Sequence, residues 1–96
     1  MESTRIDRVI ITGASSGLGF DLARRFAPHR IRVNAIAPGI IQTPLIGDAG
    51  ASLAALALLH RVGDPRDISD AAVYLARAPF VTGTVLDVDG GYAHGR

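Results

Sequence analysis

Neither cysteine nor lysine occurs among the 96 residues. The first absence excludes disulfides, thiolate zinc sites and a cysteine nucleophile together, so neither a cross-link nor such a structural metal supports so small a core. The second removes every mechanism that needs a titratable amine or a Schiff base, because all ten basic residues are arginine. Aromatic residues make up 5% of the chain, too few for a platform on which bases could stack. Ten basic and nine acidic residues lie scattered along the chain and leave a net charge of +1, which argues against nucleic acid or an anionic membrane as a partner. Apolar runs are broken by Gly, Pro, Asp or Arg well before the roughly 18 to 20 residues that a bilayer span needs, and no charged-apolar-small leader opens the chain. The expectation is a soluble protein of the cytoplasm. What is present, 48% hydrophobic and 20% charged residues, describes one domain over 1–96. A core of this size without staples favours self-association, so a homo-oligomer is expected.

Arg8 to Thr12 is a short β-branched run that ends at Gly13, as a buried parallel strand before a glycine turn does. From Leu18 the apolar residues recur at Leu22 and Phe26, helical spacing that Pro28 stops. Arg30 to Ala37 alternates Ile31, Val33, Ala35 and Ala37 with polar residues and predicts a second strand closed by Pro38-Gly39. Residues 40–50 read as a loop, and the Ala- and Leu-rich stretch Ala51 to His60 predicts a helix. Asp64 before Pro65, with Asp67 three positions after the cap, predicts a helix start. Ile68, Ala71, Ala72, Leu75 and Ala76 then mark its apolar face. Thr84 to Asp89 alternates again and Gly90-Gly91 closes it, giving a third strand. Strands alternating with helices predict an α/β fold with a parallel sheet.

Thr12-Gly-Ala-Ser-Ser-Gly-Leu-Gly19 lies between the first strand and its helix, where backbone N–H groups at a helix N-terminus can meet a pyrophosphate. Three glycines alone fit a plain helix-start turn equally well. The spacing resembles the phosphate-binding turn of the short-chain dehydrogenase/reductase family, and three later segments resemble the same family in the same order. These are Ile31-Arg-Val-Asn-Ala-Ile-Ala-Pro-Gly39 with Thr43-Pro44, Arg61-x-Gly-x-Pro-x-Asp67, and Val81-Thr-Gly83 with Val88-Asp-Gly-Gly91. The resemblance implies a minimal Rossmann-like parallel sheet of about three strands with flanking helices. It further implies that Gly13, Ser15, Ser16, Gly17, Leu18 and Gly19 bind the pyrophosphate and adjacent ribose of NADP or NAD, and that Ile41 and Thr43 hold the nicotinamide. The implied activity is hydride transfer between nicotinamide and a small carbonyl or alcohol substrate.

The family's stretch between its first helix and sixth strand is missing, with the join near Phe26 to Arg30. Its catalytic Ser and Tyr-x-x-x-Lys pair go with it, and no lysine remains to rebuild the pair. Tyr near its usual pKa of about 10 protonates a carbonyl oxygen well only beside a cation that lowers that value. Tyr74-Leu-Ala-Arg77 imitates the pair most nearly, but Tyr74 sits beside an apolar stripe and reads as a packed residue with its hydroxyl at the surface. Tyr92 and His94 lie in a Gly-containing tail, His60 ends the predicted helix and His29 belongs to a turn, so none is assigned a catalytic role. Asp87 and Asp89 share a face, but a carboxylate on a strand edge reads as a solvated charge or a turn anchor before a metal ligand, and no metal site is expected. The alternative function is an inactive α/β module whose late helix and last strand serve association. In the family the two cofactor clamps stand three strand steps apart, about 14 Å. Here direct pairing of the first two strands would crowd Thr43 against the phosphates.

Overall fold

The computed structural model describes residues 8–12 and 16–92, in the order β1 (Arg8–Thr12), α1 (Ser16–Phe26), β2 (Arg32–Pro38), α2 (Gly50–Ala54), α3 (Pro65–Arg77) and β3 (Val85–Val88). The break between α1 and β2 follows from Pro28, which enters a single 3₁₀ turn over Ala27–His29. Arg30 then reverses the chain at a φ of +61° while its N–H donates to the Ala27 carbonyl at 2.9 Å. At the other long helix the expected capping box forms. The Arg66 N–H donates to the Asp64 carboxylate at 2.8 Å and the Asp64 N–H to the Asp67 carboxylate at 2.8 Å.

The three strands pair in parallel in the order β1-β2-β3, Arg8 beside Arg32 and Ala35 beside Val85. As the middle strand, β2 is covered on both faces, and its residues Arg32, Val33, Asn34, Ala35 and Ile36 are buried. Its alternation assigns the helices to faces. A Cβ on Gly19 of α1 would stand 3.6 Å from the Ala35 Cβ, whereas the Arg32 guanidinium donates to the Leu75 and Ala76 carbonyls of α3, each at 2.9 Å. So α1 lies on the face of Val33 and Ala35, and α3 on the face of Arg32, Asn34 and Ile36. Because the strands succeed one another in one direction across the sheet, connections on opposite faces have opposite hands. One of the two is therefore left-handed, a rare geometry for parallel neighbours.

The predicted helix over Ala51 to His60 is a correction. Only Gly50–Ala54 is helical, and the chain continues in turns. Its Ala and Leu content favours helix, but a competing tertiary bond wins: the Leu59 N–H donates to the Gly90 carbonyl at 3.0 Å, and His60 adopts a φ of +54°. His60 thus sits in a turn, not at a helix end. The strands shift by a residue or two, β2 running to Pro38 and β3 stopping at Val88.

Candidate functional site

Of the expected phosphate-binding residues, Gly13 and Ser15 lie outside the described residues, and Ser16 opens α1. Gly17, exposed in the first turn, has no atom of the other described residues beyond its own helix within 4 Å of where a Cβ would stand, which fits a ligand at that point. Gly19, one turn further along the same helix, is buried against Ala35 and sets the helix close to the sheet. The first turn of α1 holds no acidic side chain to offset the positive end of its dipole. An open first turn, a close-seated helix and a first turn free of acidic side chains together fit a dinucleotide pyrophosphate.

The second clamp follows β2. There the Gly63 N–H donates to the Ile40 carbonyl and the Gln42 N–H to the Gly63 carbonyl, both at 2.8 Å, a parallel bridge between Ile41 and Gly63. Thr43 begins a turn in which its carbonyl accepts from the Ile46 and Gly47 N–H groups at 3.0 and 3.2 Å. The bridge draws this loop toward the entry of α3 and the end of β3, away from β1. Because Gly13 and Ser15 lie outside the described residues, the expected crowding of Thr43 against the phosphates lies outside them too. With α1 on one face of the sheet and α3 on the other, the described helices have the arrangement that, in folds of this type, places nucleotides at the carboxyl ends of parallel strands.

Beside Ile41 lies a cavity of about 480 Å³, with Ile40, Leu58, Leu59 and Val88 as apolar walls and Asp67, Asp70, Asp87, Asp89 and Arg61 among its polar lining. Asp67 is held below the usual carboxylate range, first by the Asp64 N–H and further by Arg61, whose guanidinium lies 3.4 Å away. Asp89 anchors the turn after β3 by accepting from the Gly91 N–H at 2.8 Å. Tyr74 stands 58% exposed on α3, and His94 lies outside the described residues. The cavity was not foreseen: its walls come from the segment that abandons helix, and Asp70 looks in sequence like an ordinary solvent-facing helix residue.

A parallel sheet with a glycine turn opening α1 defines the class, a Rossmann-type nucleotide-binding fold. Residues 13–93 match the family described as enoyl-(acyl carrier protein) reductase. A 3-oxoacyl-[acyl-carrier-protein] reductase of Bos taurus is 44% identical over 80 residues, 82% of this chain and 34% of that protein. Among solved structures, ElxO with NADP bound superposes with a TM-score of 0.74 and 33% identity over 81% of this chain and 35% of that one. A blue fluorescent protein from a metagenomic library, in complex with NADPH, gives a TM-score of 0.79 and 30% identity over 90% and 45%. The chain belongs to the short-chain dehydrogenase/reductase family. It spans about a third of the length of the curated relatives it matches. Nicotinamide dinucleotide is the cofactor these likenesses support. No described helix is long and apolar enough to cross a membrane.

Proposed function

We propose that the chain binds NAD(P)H across the carboxyl ends of β1 and β2 and, as an oligomer, passes hydride between the nicotinamide and a small carbonyl-type substrate. The observation that carries this reading is the open first turn of α1 at Gly17, backed by Gly19 against Ala35 and lying in the family's phosphate-binding turn. The backbone from Gly13 to Gly19 would hold the pyrophosphate, with Ser15, Ser16 and Leu18 toward the adjacent ribose, and Ile41 and Thr43 would hold the nicotinamide end. When bound, the cofactor supplies the hydride. The chain supplies position, and orientation alone lowers a barrier by several kcal/mol. Association is supported by the outer face of α3, where Val73 and Tyr74 are about half exposed, and by Phe80 beyond it, fully exposed. The open edges of β1 and β3 offer a second contact between copies.

Calorimetric titration with NADPH and then NADH tests the reading. Saturable binding by the parent chain and its loss in a folded Gly17→Val variant are expected. Equal affinity in the two proteins would overturn the assignment of the turn.

A further inference from the structure

The cavity beside Ile41 has an unusual lining for a carbonyl pocket. Its volume, about 480 Å³, falls in the range of small-molecule sites. Its walls are apolar at Leu58, Leu59 and Val88, yet its polar lining carries Asp70 and Asp87 together with Asp67, which Arg61 already approaches. Such a surface favours a ligand with an apolar body and a positive charge and disfavours an anion. Among the described residues no three His, Asp or Glu side chains form a metal-holding group.

We infer that this cavity takes an organic cation, and that the substrate reduced here carries a C=N⁺ group in place of a carbonyl. The inference rests on the proposed cofactor site, since Ile41 belongs to both the nicotinamide clamp and the cavity wall. A carbonyl that accepts hydride becomes an alkoxide and needs an acid to protonate it. An iminium ion does not. With reduced nicotinamide bound, the iminium carbon would accept the hydride and the C=N π pair would move onto nitrogen. The substrate would lose its positive charge as the cofactor gained one, and no proton would be transferred. A chain without lysine, and without the family's Tyr-x-x-x-Lys pair, is suited to that reaction. The acidic wall contributes by concentrating the cation and holding it against the apolar floor.

The test begins with the cofactor-free chain and two bicyclic probes of similar shape, the cation N-methyl dihydroisoquinolinium and the neutral ketone tetralone. Calorimetry should show saturable binding of the cation, about fivefold weaker in Asp70→Asn. Asp70→Glu should keep parental affinity. So should Asp21→Asn, which removes the same charge on α1, where Asp21 pairs with Arg25. Tetralone should be indifferent to all three. With NADPH or NADH added, oxidation of the cofactor should follow the iminium probe and exceed the rate in buffer. A cation that binds no better than tetralone, or that ignores Asp70→Asn, overturns the inference. So does a chain that binds the cofactor but does not reduce the iminium probe. Cation binding without cofactor binding would instead overturn the proposed function and the reductive step, with the cation site supported.

Discussion

Arg32 is 7% exposed, and its guanidinium donates to three carbonyls, those of Leu75, Ala76 and Val81, each at 2.9 Å. Leu75 and Ala76 lie in the last turn of α3, where carbonyls lack helical partners, so a cation from β2 serves as the cap for a helix on the opposite side of a long connection. A lysine has the charge but lacks the planar fork. Arg32→Lys should therefore destabilise the fold by about 1 kcal/mol, and Arg32→Met by about 2 to 3 kcal/mol, as the buried Leu75 carbonyl loses its donor while those of Ala76 and Val81 keep Arg8 and Asn34. Urea unfolding measures both; a midpoint unchanged in Arg32→Met would show that the Leu75 carbonyl finds another donor. The two helix glycines separate folding from binding. Gly17→Val meets no atom of the other described residues beyond its own helix and should leave thermal stability nearly unchanged, whereas Gly19→Val drives methyl groups toward Ala35 and should cost about 1 to 3 kcal/mol.

Helix α3 was legible in nearly every position, because its signals are local. The cap at Asp64, Pro65 in the first turn, and the stripe ending in fully buried Leu75 all require only the helix and the face beneath it. Its acid dependence is equally local. The folded-state carboxyl of Asp67 titrates below its unfolded value near 3.9. Its stabilisation is thus complete above that value and is lost as the pH falls through the lower folded one. Asp67→Asn should be less stable than the parent at neutral pH, and the gap should close as the solution is acidified, read as urea midpoints over a pH series. The segment after Gly50 was illegible for the opposite reason. Its helical composition is outweighed by a bond to Gly90, thirty-one residues beyond Leu59, and by Gly91, where a Cβ would stand 2.7 Å from the Leu58 side chain at a φ of +87°. Gly91→Ala should detach this segment, and hydrogen exchange at the Leu59 amide should rise to the rate of an open loop. Parental protection in that variant would mean that the Gly90 bond holds without the close contact.

At the scale of the whole molecule, charges scattered in sequence become polarised in space. Parallel strands and the two long helices set one edge with Asp64, Asp67, Asp70, Asp87 and Asp89 against Arg61 and Arg66, and the other with Arg8, Arg24, Arg25, Arg30, Arg32 and Arg77 against Asp21, which pairs with Arg25. Sequence spacing hid this because each helix runs antiparallel to the strands, carrying acids at its start or arginines at its end to a common edge. The same topology places the first turn of α1 on the acidic edge. The proposed pyrophosphate thus meets a favourable helix terminus within a field of its own sign, and these two effects respond differently to salt. Contact with the α1 amides is short-range and weakly screened. Repulsion from the more distant carboxylates acts over a Debye length, which shrinks from about 30 Å at 0.01 M to about 8 Å at 0.15 M ionic strength. Raising salt over that range should tighten NADH binding, the reverse of the usual response of an anion at a cationic site. NADPH, with its additional phosphate, should tighten more. Calorimetric affinities for both cofactors across the salt series measure the slopes. Weakening of both with salt would mean that arginine, not the helix terminus, holds the phosphates, and would move the site toward the opposite edge.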